Sequence, residues 1–179
     1  MRPLKRMIVI SLLAAILSIS AYISIPFSFS TVPFTLQSLM LMIIALSMPI
    51  SISFYTVGLY LLLGLIGLPV FSNGTAGLPV LFGPTGGYLF GFLLSTVVIG
   101  FIKEKLDYFF GYFIAALLGG VVVVYACGVL GLMFVLNIDF NRAFTIGVIP
   151  FIPFDLIKVL VSSVFVYNSR NIFKRILKK

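Results

Sequence analysis

The chain has 179 residues, 61% hydrophobic and only 9% charged, with a mean hydropathy of +1.27; soluble domains carry about a quarter charged residues, so lipid is its main solvent. It has no His, one Cys and four acids, Glu104, Asp107, Asp139 and Asp155, which removes clustered metal ligands and most nucleophile-base chemistry; no catalytic residue, metal or cofactor is expected. The net charge of +8 lies at the ends of apolar runs and not on a polar face interleaved with aromatics, which points to membrane topology and away from nucleic acid.

A membrane-crossing helix takes about 20 apolar residues, so about six spans with short connections use nearly the whole chain as one membrane domain. Helix 1 is expected over Leu4 to Ile25, ended by Pro26. Its basic start and Ser18-Ile19-Ser20-Ala21 also resemble a signal peptide with its cleavage site, but the apolar run is longer than a usual signal core. Helix 2 is expected from Thr35 to Met48, ended by Pro49, and helix 3 from Ser51 to Ile66. A Gly/Pro-rich stretch from Gly67 to Gly86 precedes helix 4, Gly87 to Ile102, and a charged turn, Lys103 to Asp107. Helix 5 covers Phe109 to Leu136; Cys127 within it reads as a small packing residue. A loop with Asn137, Asp139, Asn141 and Arg142 leads through Pro150 and Pro153 into helix 6, which reaches about Asn168 and a basic tail.

The basic residues test this count. With six spans, Arg2, Lys5, Arg6, Lys103, Lys105, Arg170, Lys174, Arg175, Lys178 and Lys179 share one side, while Arg142 lies on the other and Lys158 within a helix. Cytoplasmic loops carry such an excess of cations, so both termini are expected in the cytoplasm. An odd number of spans would split the terminal clusters. The fold class expected is therefore an all-α integral membrane protein, a bundle of six transmembrane helices in a cell membrane.

Small residues recur three and four apart: Ser11, Ala14, Ala15, Ser18 and Ala21 on helix 1, Gly87, Gly91 and Ser95 on helix 4, and Gly111, Ala115 and Gly119 on helix 5. Such stripes let helices approach closely in lipid. The helix 1 stripe fits either internal packing or a helix of another protein.

Three places suit a ligand. Asp155 and Lys158 stand three apart at the start of an apolar helix and share one face. Each costs about 2.5–3.5 kcal/mol at mid-bilayer, so they form either a self-neutralising structural pair or a polar ligand's acceptor and donor. The charge-free loop GLPVFSNGTAGLPVLFGPTGGY is too apolar for a solvated linker, and irregular backbone at membrane depth survives when it lines a cavity; a phosphate-loop reading fails for want of the lysine and Ser/Thr. In IPFSFSTVPFTLQ, Phe27, Phe29 and Phe34 alternate with hydroxyls and Gln37 opens helix 2. These aromatics suit an interfacial belt or a cap over an apolar ligand.

VPFTLQ, YLLLGLIGLPVF, FGPTGGYLFGF and PFIPFDLIK resemble, in that order, the BioY family of biotin transport proteins. The resemblance implies the substrate-specific, or S, component of an energy-coupling factor transporter in a prokaryotic cell membrane. Such a component binds biotin from outside and joins a transmembrane coupling protein and two ATPase subunits. An S component for another vitamin is the alternative within that class, and a non-transporting scaffold or pore the alternative outside it. Phe154 departs from the family, which usually has Gly before the aspartate. The family's small-residue docking pattern on helix 1 corresponds here to Ala14 and Ser18. Biotin's ureido ring matches the last motif: Asp155 would accept from a ureido N–H and Lys158 would donate to the ureido carbonyl. The carboxylate would then point to the mouth, under Phe34 and Asn73, with Gln37 and Tyr88 as wall contacts.

Overall fold

Backbone polar groups have no water to bond in lipid, so a chain this apolar must satisfy them within itself. The computed structural model describes residues 2–26 and 30–178, and it does so almost entirely with helices. These are α1 (Pro3–Tyr22), α2 (Gln37–Ser47), α3 (Ile50–Leu65), the short α4 (Leu78–Leu81), α5 (Gly86–Lys105), α6 (Phe109–Leu136), α7 (Phe140–Gly147) and α8 (Ile152–Lys178). Among the described residues four helices, α1, α5, α6 and most of α8, are long and apolar enough to cross a membrane. α2 and α3 are apolar but shorter, at 11 and 16 residues.

The structure departs from the expected boundaries for local reasons. α1 ends at Tyr22, because Ser24–Ile25 (β1) pairs antiparallel with Phe34–Thr35 (β2), and the Leu36 amide donates to the Ile23 carbonyl at 3.0 Å. The same pairing delays α2 to Gln37. The loop before Pro150 contains the amphipathic helix α7, in which Phe140 and Phe144 stack at 5.8 Å. α8 runs past Asn168 to Lys178. Phe27 and Phe29 of the expected aromatic cluster lie outside the described residues, as do Lys179 and the side chains of Lys174 and Lys178.

Small residues set the helix contacts. A Cβ at Gly87 would stand 2.4 Å from the Cys127 carbonyl and one at Gly119 2.5 Å from Ile99, so α5 and α6 touch backbone to backbone. Gly64 leaves room for Phe71, which is fully buried and meets the Tyr60 ring edge-on at 5.4 Å. That contact draws the Gly67–Gly86 loop back onto the bundle. Ala14 and Ser18 are buried as well, at 0% and 8% exposure, where α1 packs on α3 and α2, and Ser18 Oγ donates to the Ala14 carbonyl at 2.8 Å. Ala14 and Ser18, the residues expected to form a docking face, thus lie on a side of α1 that packs against its own chain. Ser11 and Ala15 are the stripe members left exposed.

The two ends of the bundle differ in charge. At one end a cavity brings Lys103, Glu104, Asp107 and Arg170 together, and Arg6 lies 5.2 Å from the Tyr55 ring. Lys103 Nζ donates to the carbonyls of Ala45 (2.6 Å), Leu46 (3.0 Å) and Met48, which α2 leaves unpaired at its C-terminus. The candidate site occupies the other end.

Candidate functional site

The site is a cavity between β2, α2, α5, α6, α8 and the Gly67–Gly86 loop. Its floor is the ion pair: Lys158 Nζ lies 2.8 Å from Asp155 Oδ1, and both residues are buried, at 5% and 8% exposure. Charges this far from water persist only when paired and hydrogen-bonded. Every group needed is close by. Lys158 donates to the Thr35 carbonyl and to Ser38 Oγ, each at 2.8 Å, and its ammonium sits 4.0 Å from the centre of the Phe34 ring. On the carboxylate, Tyr125 Oη donates to Oδ2 at 2.6 Å and Ser38 Oγ to Oδ1 at 3.5 Å.

Counting donors shows what remains for a ligand. An ammonium has three N–H groups, and Asp155, Thr35 and Ser38 occupy all of them. A carboxylate offers about four lone-pair sites, so Asp155 retains an acceptor on Oδ2. A ligand therefore meets a free acceptor directly, and reaches Lys158 by exchanging with Thr35 or Ser38.

The expected wall residues take different positions. Gln37 is 4% exposed, lines the cavity and donates from Nε2 to Tyr60 Oη at 2.5 Å. Tyr88 lines it with its ring, but its hydroxyl donates to the Gly147 carbonyl at 2.8 Å. Gly128 and Gly147 make room for this side chain, since a Cβ at Gly128 would lie 2.3 Å from the ring and one at Gly147 2.4 Å from the hydroxyl oxygen. Phe34 is at the mouth, its outer side packed on Phe154 with centroids 5.2 Å apart. Phe154 itself does not line the cavity, and its ring supports Phe34. Asn73 is exposed and outside the lining: it adopts the left-handed conformation (φ 57°), and its Oδ1 accepts from Ser24 Oγ at 2.5 Å. Its neighbours Phe71 and Ser72, with Val80 and Thr85, are the loop residues that face inward.

Ser38 and Tyr125 escaped the sequence reading. Ser38 follows Gln37 directly and shares the first turn of α2, so the motif VPFTLQ stops one residue short of it. Tyr125 was hidden in an apolar run, and its direction depends on an eight-residue π-helical stretch, Ala116–Val123. Among the described residues no cluster of three or more metal-binding side chains occurs.

A model of the BioY family matches residues 1–175. The biotin transporter BioY of Thermotoga maritima is 40% identical over 160 residues, covering 89% of this chain and 92% of that protein. The biotin transporter BioY2 of Lactococcus lactis is 36% identical over 157 residues, covering 87% and 85%. Among solved structures, the S-component for biotin from an ECF-type ABC transporter superposes with a TM-score of 0.88 at 32% identity, covering 96% of this chain and 95% of that one. By a match of nearly its whole length, the chain belongs to the BioY family.

Proposed function

We propose that this chain is the biotin-binding S component of an energy-coupling factor transporter, taking biotin from outside the cell for uptake driven by a coupling protein and two ATPase subunits. The observation that carries the reading is the buried Asp155–Lys158 pair in a cavity otherwise lined by apolar side chains, hydroxyls and the Gln37 amide. Relatives along the whole chain carry the name biotin transporter, and the superposed structure is an S-component for biotin. The subunit itself is non-catalytic.

The free acceptor on Asp155 suits one ureido N–H, and Lys158 turns to the ureido carbonyl when a bound ligand replaces the Thr35 carbonyl or Ser38. A buried polar site of this kind rejects analogues that leave its groups unpaired. The apolar sulfur ring lies against Val124, Leu89 and Phe92, and the carboxylate points to the mouth beneath Phe34. Ser72 takes the inward place expected of Asn73, while Asn73 ties the loop to β1 at the rim.

In the membrane we infer six crossings with both termini cytoplasmic. The support is the gathering of the α2, α5 and α8 ends with their basic residues at the end opposite the site. The coupling protein then meets the exposed side of α1, where Ser11 and Ala15 allow close approach. Calorimetry against biotin of the chain expressed without biotin and purified ligand-free in detergent, with riboflavin and thiamine as controls, tests the reading: saturable binding of biotin alone supports it, and no biotin binding refutes it.

A further inference from the structure

Between α6 and α8 the chain makes one more helix, the eight-residue α7, Phe140–Gly147. A helix of that length rises about 12 Å, far short of the roughly 30 Å needed to cross a bilayer. α7 therefore lies at one end of the two long helices it joins. That end is the one with the cavity: the Gly147 carbonyl accepts from the hydroxyl of Tyr88, which lines the cavity, and the Ile146 carbonyl accepts from Ser30 Oγ, each at 2.8 Å.

α7 has three distinct sides, which follow from a rotation of about 100° per residue. Ala143 and Gly147 face the bundle and are buried, and a Cβ at Gly147 would stand 2.5 Å from the Leu132 side chain of α6. This contact and the two hydrogen bonds fix the rotation of the helix. Asn141 and Thr145 form an exposed polar side, where the Thr145 hydroxyl donates to the Asn141 carbonyl at 2.7 Å. Phe140 and Phe144, one turn apart, form the third side. Their rings stack with centroids 5.8 Å apart, which covers one face of each and leaves both side chains exposed.

The neighbouring segments show what covers this third side. Leu130 and Phe134 near the end of α6 are exposed, as are Ile149 and Ile152 at the entry to α8. α7 thus joins two stretches whose outward side chains meet lipid, and its phenylalanine pair continues that apolar surface. The exposed Asp139, Asn141, Arg142 and Thr145 are polar groups for the water side. Apolar rings on one side of a short helix and polar groups on the next are the pattern of a helix lying in a membrane interface. We propose that α7 is an interfacial helix, seated through Phe140 and Phe144 in the headgroup and upper acyl region of outer-leaflet phospholipid. The inference rests on the reading that α6 and α8 cross the membrane with the site outside, and it holds whichever vitamin is bound.

The chain has no Trp, so a single introduced one reports its surroundings without background from other indoles. Phe140→Trp and Phe144→Trp are reconstituted in phosphatidylcholine vesicles, once with plain lipid and once with lipid brominated on its acyl chains, and iodide is supplied on both sides of the membrane. Two positions are used so that misfolding of one variant leaves the other to decide. Leu130→Trp, exposed within α6, gives the signal of a lipid-facing position, and Asn141→Trp that of the polar side. Both phenylalanine positions should emit to the blue of Asn141→Trp, lose intensity in brominated lipid and be protected from iodide, while Asn141→Trp should show the reverse. Quenching of Phe140→Trp and Phe144→Trp by iodide alone would place this side of α7 in water, and quenching by neither would mean that protein, such as a second copy of the chain, covers it; either result overturns the proposal. If Leu130→Trp also escapes the brominated lipid, the reading of α6 as a membrane crossing falls and takes the proposal with it, a result distinct from failure at α7 alone.

Discussion

Replacing Asp155 by Asn keeps the shape of the side chain and removes its charge. The carboxylate now receives Lys158 at 2.8 Å, Tyr125 at 2.6 Å and Ser38 at 3.5 Å. After the change, Lys158 is a cation at 5% exposure without its counter-ion. Breaking a buried pair on one side costs about 3–5 kcal/mol of stability; because the Thr35 carbonyl, Ser38 and the Phe34 ring still surround Lys158, the lower end, about 3 kcal/mol, is expected. For biotin, losing a charge-assisted acceptor while stranding its partner should cost about 2–5 kcal/mol, a weakening of 30-fold or more. Calorimetry reads the affinity and a thermal melt in detergent reads the stability. The double variant Asp155→Asn/Lys158→Met completes the comparison: with both charges gone, stability should recover most of its loss while biotin binding does not. Wild-type affinity in Asp155→Asn and in Lys158→Met would mean that the pair is structural and that the ligand is recognised elsewhere.

Further outcomes follow from the geometry. Ala14→Leu should lower the melting temperature by overpacking a fully buried contact of α1, costing about 1–3 kcal/mol, whereas Ala15→Leu on the exposed side should leave melting and biotin affinity unchanged and weaken co-purification with the coupling protein; unchanged melting in Ala14→Leu would return that residue to a docking role. Lys103→Met should destabilise the fold by about 2–4 kcal/mol, since it strands the carbonyls of Ala45 and Leu46 and leaves that of Met48 with the Ser53 hydroxyl at 3.5 Å, without altering biotin affinity at the far end; wild-type melting would refute the capping role. Phe154→Gly removes a ring partner of Phe34 worth about 0.5–1.5 kcal/mol, so stopped-flow should show biotin leaving roughly 2- to 12-fold faster, and an unchanged rate would mean that Phe34 needs no support. Biotin amide should bind nearly as well as biotin if the carboxylate points to the mouth, and a large loss would place Lys158 at the carboxylate instead.

Much of this architecture was legible because lipid imposes few solutions: apolar runs become helices, and cations mark their ends. Proline and glycine located most boundaries within a few residues, and Asp155 and Lys158 stood out because charge is rare in such segments. What was not legible depends on backbone pairing or on helix rotation. The β1–β2 pairing shortens α1 and presents the Thr35 carbonyl to Lys158, yet nothing in SIPFSFSTVPFT requires those particular residues to meet. Tyr125 could be placed on a helix but not on a face, because the π-helical stretch before it shifts the register. The stripe on α1 held two faces: Ala14 and Ser18 turn inward, while Ser11 and Ala15, one position away along the same spacing, turn outward. Spacing identifies a stripe, and only the packing says which side of it is free. α7 was missed because its eight residues carry three polar side chains, Asn141, Arg142 and Thr145, that read as a loop.

The most direct test is to identify the ligand that the chain itself retains. The protein, expressed in cells supplied with a mixture of vitamins and purified in detergent without added ligand, is denatured and its small molecules are identified by mass spectrometry, with Asp155→Asn purified in parallel. Biotin should be recovered at close to one molecule per chain from the wild type and should be depleted in the variant. Recovery of a different vitamin, or equal biotin in both preparations, would contradict a biotin-binding site built on Asp155 and Lys158.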